Sequence, residues 1–148
     1  MEIIRTTSEH LNQLVPLFDG YRVFYKQPSD MEKARAFLAE RFSNDESVIF
    51  AAADDAGKLV GFTQLYPLFS SVSARRVWLL NDLYVAPEAR RQGVARSLMN
   101  AARAFGEETG AKGVALETGI NNTQAQALYE DLGYEKQGGT WWYFLGVD

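Results

Sequence analysis

The sequence predicts an α/β protein of one domain spanning residues 1–148, a mixed sheet with helices on its faces. Three observations carry this reading. Four stretches repeat apolar residues at helical spacing, seven short runs are strand-like, and the two kinds interleave as β-α-α-β-β-β-α-β-α-β-β. A chain of 148 residues is long enough to bury one core and too short for two ordinary ones.

Ile3-Ile4-Arg5 reads as a first strand. Ser8 is placed to cap a helix with Leu11, Leu14, Val15 and Phe18 on one face, which Asp19-Gly20 interrupts before Tyr21–Tyr25. Ser29-Asp30-Met31-Glu32 has the form of a capping box and opens a second helix carrying Ala34, Phe37, Leu38 and Phe42. Val48–Ala53 and Leu59–Leu68 flank the turn Asp54–Gly57 and read as a hairpin. Val77–Val85 is a further strand, broken in its apolar character only at Asn81-Asp82. A helix over about 93–109 presents Val94, Leu98, Ala101 and Phe105. Val114–Leu116 is a short strand, and Thr123–Leu132 a helix closed by Gly133. Tyr134–Gln137, the Gly138-Gly139 turn and Trp141–Val147 form a closing hairpin.

Composition narrows the chemistry. With no cysteine, disulfides, thiolate metal sites and a cysteine nucleophile are excluded. The single histidine, His10, has no motif around it and reads as an exposed helix residue, so no metal site is expected. The N-terminal residues lack a signal-peptide core and no apolar run approaches the roughly 20 residues of a membrane span, so a cytoplasmic protein without membrane partners is expected. The net charge of −4 argues against nucleic-acid binding. Residues 75–96 nevertheless hold five arginines against Asp82 and Glu88. A basic island in an acidic chain suits a discrete anionic ligand.

The segment from Leu83 to Arg96 is where such an anion is expected to bind. A strand ends at Val85, and a helix opens at Arg91-Gln92-Gly93. A helix N-terminus offers unpaired N–H groups and the positive end of a dipole. Gly93 and Ala95 allow close approach, and Arg90, Arg91 and Arg96 add charge. The pattern is neither a P-loop nor a dinucleotide fingerprint. Taken alone, an Arg-x-x-Gly-x-Ala pattern is better read as a glycine, Gly93, that permits helix packing.

In its context, Arg90-x-x-Gly93-x-Ala95 after Leu83-Tyr84-Val85-x-Pro87 resembles the cofactor-binding motif of the GNAT family of N-acetyltransferases. Downstream, Asn122-x-x-Ala125-x-x-Leu128-Tyr129-Glu130-x-x-Gly133-Tyr134 is similar to that family's second motif. The resemblance implies the GNAT fold, with a mostly antiparallel central sheet, and acetyl-coenzyme A as cosubstrate. It implies that Arg90, Arg91, Gln92, Gly93, Val94, Ala95 and Arg96 surround the pyrophosphate. The strand end Leu83-Tyr84-Val85 takes the pantetheine, with Leu83 and Val85 supplying backbone partners. Asn122, with Ala125 beside it, caps the second-motif helix and reaches the pantetheine arm.

The resemblance also gives Tyr129 as the general acid. A phenol of pKa about 10 stays protonated at neutral pH and is matched to a leaving thiolate. The alternative is an aromatic packing residue beside Leu128. For the general base, Asp82 with Asn81 orienting a water competes with Glu117, and some relatives have no dedicated base. Strand alternation sends Asn81 and Asp82 to opposite faces, and a family bulge at this point leaves open which one faces the cleft. Asp82 held by hydrogen bonds and Glu117 solvated at an edge are the structural alternatives.

Acceptor specificity in the family comes from the first two helices and the C-terminal strands. Among the aromatic and charged residues there, Asp19, Tyr25 and Trp142 are the expected pocket members, with Asn81 beside them. The wording Leu80-Asn81-Asp82-Leu83-Tyr84-Val85 with Tyr21-Arg22-x-Phe24-Tyr25 is similar to the branch acetylating histones and polyamines, which implies a primary amine on a small molecule or peptide. Without cysteine, direct attack in a ternary complex is expected. A non-catalytic coenzyme A-binding module and transfer of a longer acyl chain are the rival readings; Leu83 and Leu128 favour acetyl. Relatives also lead one to expect a homodimer, through Trp141–Val147.

Overall fold

In the computed structural model, which describes residues 1–148, β1 (Glu2–Arg5), β2 (Val48–Ala53), β3 (Leu59–Ser70), β4 (Arg75–Val85) and β5 (Gly113–Ala115) form one sheet in that spatial order. Ladders β1·β2, β2·β3 and β3·β4 are antiparallel, and β4·β5 is parallel. Helices α1 (Leu11–Phe24), α2 (Met31–Ser43), α3 (Val94–Glu108) and α4 (Thr123–Asp131) complete the regular structure. No helix is long and apolar enough to cross a membrane. The chain divides into two compact units, residues 1–117 and 118–148.

Strand alternation explains the layers of the larger unit. Ile49, Ala51, Ala53 and Phe62 face α1 and α2, where Leu14, Phe18, Ala34 and Leu38 bury against them. Ala52 and Val60 belong to the opposite cluster, with Val94 and Leu98 of α3. Gly61 sets how closely α3 approaches: a Cβ there would lie 3.0 Å from the Tyr84 carbonyl oxygen and 3.2 Å from Val94 Cγ1. Gly61→Val is therefore expected to destabilise by about 1–3 kcal/mol, the cost of overpacking against backbone, read as a lowered Tm.

Several local expectations are corrected. Thr7, not Ser8, provides the first cap. Its hydroxyl accepts from Glu9 N–H and its own N–H donates to His10 Nδ1 at 3.0 Å, so His10 closes a capping box around a 3₁₀ turn. Asp19-Gly20 does not break α1. Asp19 is buried, with its carboxylate accepting from Ser29 Oγ at 2.7 Å and Asp30 N–H at 2.8 Å, which ties down the α1–α2 connection. Gly20 is a packing notch, since a Cβ there would sit 2.7 Å from the Tyr84 hydroxyl. At α2 the cap is Asp30, which accepts from Lys33 N–H. Ser29 is committed to Asp19 instead.

The expected closing hairpin is not formed. Residues 134–148 carry no strand, and the sheet ends at β5. Aromatic and β-branched residues make Trp141–Val147 competent for a strand, but a strand exists only through a ladder, and here it has none.

Candidate active site

The β3–β4 ladder contains the irregularity that creates the site. Gln64 pairs with Asp82 and Leu65 with Leu80, so Asn81 is an extra residue, a β-bulge. The bulge settles the orientation that alternation left open: Asn81 is exposed and Asp82 is buried. Asp82 Oδ2 accepts from Gln64 Nε2 at 2.6 Å and Oδ1 from Asn81 Nδ2 at 2.8 Å. Gln64 is oriented in turn by Ser47, whose hydroxyl donates to Gln64 Oε1 at 2.8 Å. Burial pushes the Asp82 carboxyl up to about 6, against the opposing pull of its Asn81 and Gln64 hydrogen bonds. The Tyr66 phenol is pushed upward by burial and then by the Asp82 charge, so it stays protonated. Sequence reasoning missed Gln64 and Ser47. The signal was present, because a lone amide inside the apolar run Leu59–Leu68 needs a partner.

Beyond the bulge, β4 has an open edge. Its ladder with β5 covers only Val77, Trp78 and Leu79. Ala86 N–H donates to Val60 O at 2.8 Å, so even-numbered residues at this end of β4 turn their backbone groups toward β3. Backbone groups alternate along a strand, so Leu83 and Val85 turn theirs to the side where β5 has stopped. The Val85 carbonyl already accepts from Arg90 Nε at 2.9 Å, and the Arg90 guanidinium also lies over the Tyr84 ring. Arg90 thus pins the loop to the strand it follows.

The loop delivers the N-terminus of α3. Arg91 (φ 63°) and Gly93 (φ 76°) are both left-handed, and Gly93 is the N-cap without a side-chain cap on the first-turn N–H groups. A non-glycine residue in this region costs of order 1 kcal/mol. Val94 is buried and anchors the turn, while Arg91, Gln92 and Arg96 are exposed and Ala95 is half-buried. A Cβ on Gly93 would meet nothing within 4 Å. An uncapped helix start, open space at its cap and flanking arginines fit a diphosphate group.

Near the bulge, the end of α1 provides aromatic surface. The Tyr21 hydroxyl donates to the Asn81 carbonyl at 3.2 Å. Tyr25, exposed, lies 5.0 Å from the Tyr21 ring and 5.2 Å from the Phe24 ring. Asn81, Asp82 and this cluster are therefore brought together. Asp19, inside α1, has its oxygens engaged by Ser29 and Asp30 of the α1–α2 connection, and Glu117 is exposed two residues beyond β5.

In the unit 118–148, Asn122 caps α4 as expected, its Oδ1 accepting from Ala125 N–H at 3.3 Å. Gln126 Nε2 donates to the Gly119 and Ile120 carbonyls and fixes the approach to that helix. Tyr129, on the second turn, is half-buried with its ring 6.1 Å from Tyr134. Tyr134 N–H returns to Tyr129 O and Gly133, left-handed, closes the helix. Trp142 is exposed.

Comparison with known proteins shows the family and the fold. The model of the acetyltransferase (GNAT) family matches residues 12–134. The chain is 45% identical over 147 residues to the uncharacterized N-acetyltransferase YhfO of Bacillus subtilis, covering 99% of this chain and 98% of that one. A crystal structure described as a probable acetyltransferase is 45% identical with a TM-score of 0.94, covering 100% and 99% of the two chains. The structure of AAC(6')-Iy with the bisubstrate analog CoA-S-monomethyl-acetylneamine shares the fold, with a TM-score of 0.80 at 24% identity and coverage of 99% and 98%.

Proposed function

This chain belongs to the GNAT family and is an acetyltransferase, and we propose that it moves an acetyl group from acetyl-coenzyme A to a primary amine of a small molecule or peptide by direct attack, as one domain of residues 1–148 in a cytoplasmic homodimer. The observation that carries this reading is the open edge of β4 running into an uncapped, arginine-flanked helix start. Leu83 and Val85 offer strand-edge groups to an amide-bearing arm, and the Gly93–Arg96 turn with Arg90 and Arg91 holds its diphosphate. Asn122 and Ala125, by motif position, complete the cofactor contacts. Acetyl-coenzyme A supplies the acetyl group as an activated thioester.

The remaining chemistry is proton management. The attacking nitrogen must shed a proton as its bond to the acetyl carbon forms. Asp82 accepts that proton through a water oriented by Asn81. Its raised pKa supports this role, since a base is most effective when its pKa lies near the working pH. Glu117 is the competing base. As the carbon–sulfur bond breaks, Tyr129 gives its phenolic proton to the departing sulfur. Tyr25, Trp142 and the Asp19-braced end of α1 shape the acceptor side. Cation–aromatic attraction at Tyr25 suits an ammonium-bearing acceptor.

The test is free-thiol release with acetyl-coenzyme A over polyamines, amino acids, aminoglycosides and lysine peptides. Release with at least one amine class is expected; cofactor binding without release from any amine would return the chain to a non-catalytic binding module. Gly93→Val separates the loop from the chemistry. The valine must adopt a left-handed conformation, at about 1–2 kcal/mol, and fills the space over the helix start. Coenzyme A affinity by calorimetry is expected to fall by about tenfold or more with a small loss in Tm. Unaltered affinity overturns the loop assignment.

A further inference from the structure

The two carboxylate oxygens of Asp82 have unlike surroundings. Oδ2 faces Gln64, and both side chains are sealed from solvent, at 0% exposure for Gln64 and 1% for Asp82. Oδ1 faces Asn81, which is exposed. The Gln64 amide can meet Oδ2 through its N–H only while its own oxygen points away, toward Ser47 Oγ. Turned end for end, it would set a carbonyl oxygen against the carboxylate. Ser47, Gln64 and Asp82 thus form a chain in which each donor points toward the carboxylate, with bonds of 2.8 and 2.6 Å. Consecutive hydrogen bonds polarise one another. The hydroxyl draws electron density onto Gln64 Oε1 and makes the amide N–H the stronger donor, and the second bond has the short length of a charge-assisted one.

We propose that Ser47 and Gln64 are positioning residues for the transfer: the hydroxyl fixes and polarises the amide, the amide keeps Oδ2 an acceptor only, and the proton shed by the amine enters and leaves Asp82 at Oδ1. A proton on Oδ2 would confront the Gln64 N–H in a space closed to water. On Oδ1 it displaces only the exposed Asn81 amide. A water that takes the amine's proton hands one of its own to Oδ1, and Oδ1 later releases it to solvent. Other ionisable groups surround the pair. Tyr66 on β3 stays protonated, Arg41 on α2 is engaged by Glu40 and Glu46 and stays charged, and Tyr21 of α1 bonds the Asn81 carbonyl. The inference rests on the reading of Asp82 as the base.

The test compares Gln64→Leu, Ser47→Val and Ser47→Thr by two readouts. One is the pH profile of kcat/KM; the other is the carbon-13 titration of the Asp82 carboxyl, assigned by its absence in Asp82→Asn. Ser47 lines two surface cavities, so Ser47→Ala would admit a water in the hydroxyl's place. Valine closes that space, and threonine matches valine in size while keeping the hydroxyl. Gln64→Leu removes the donor to Oδ2, so both midpoints are expected to rise by about one pH unit or more from the wild-type position of about 6. Ser47→Val is expected to move both in the same direction by less, and Ser47→Thr to restore the wild-type position. The serine pair decides alone where Gln64→Leu does not fold. Equal behaviour of the valine and threonine variants shows a packing role and overturns the inference. A carboxyl titration that moves while the kinetic limb stays put overturns Asp82 as the base, and the inference with it. Titrations unmoved in every variant, with the wild-type limb still at the Asp82 midpoint, overturn the relay and spare the base.

Discussion

Tyr129→Phe is expected to lower kcat by about 100-fold or more, the usual contribution of a positioned acid, with coenzyme A affinity unchanged. The phenol matters only when charge develops on sulfur, so kcat and kcat/KM should fall together. A thiol of pKa about 8.5 leaves as a thiolate that a phenol of pKa about 10 can protonate, and the loss of that proton source is felt most by a poor leaving group. An acetyl thioester of a more acidic thiol should therefore recover most of the rate in Tyr129→Phe. A tyrosine that only packs against Tyr134 would show neither the kcat loss nor the rescue. An unchanged kcat across a broad pH range rejects the acid role.

What the sequence made legible is what local physics decides. The Asn122 cap, the Gly133 helix stop, the Asp54–Gly57 turn and the glycine at the start of α3 each follow from a few neighbouring residues, and each stands in the fold. What it hid depends on partners distant in the chain. Asp19-Gly20 has the composition of a helix break. Whether it breaks depends on Ser29 and Asp30 filling the carboxylate and on Tyr84 needing the space beside Gly20. Asn81 and Asp82 sit on a strand whose alternation is readable, but one inserted residue sets which of them is buried, and only pairing with Gln64 and Leu65 reveals it. Trp141–Val147 reads as a strand by composition, while its ladder is a property of whatever lies beside it.

Asp82→Asn tests the centre of the site twice. As the base, the carboxylate must be ionised, so wild-type kcat/KM should climb with pH through about 6, the position to which burial raises this group. The variant should lose about 100-fold or more in rate together with that limb of the profile, and Glu117→Gln should keep both. If Glu117→Gln abolishes the limb and Asp82→Asn keeps it, the base is reassigned. The same ionisation is linked to folding. The group titrates at 3.8 in an ordinary environment and at about 6 in the native protein, so between these values the native chain holds a proton that the unfolded chain has released. Its contribution is complete below about pH 4 and is lost as pH rises through about 6, roughly 3 kcal/mol in all. Urea denaturation of the wild type should show this decline, and Asp82→Asn, with nothing to ionise, should not. The variant has a cost of its own. Gln64 Nε2 and Asn81 Nδ2 both donate to Asp82, and Ser47 holds the Gln64 oxygen, so an amide at position 82 satisfies one donor and confronts the other. At low pH the variant is therefore expected to be the less stable protein, by about 1–3 kcal/mol, and the gap should narrow as pH rises from about 4 to about 6 and stay level above that. A gap that stays constant with pH would show that the native carboxyl ionises as readily as an exposed one, and the kinetic role assigned to its raised pKa would fall with it.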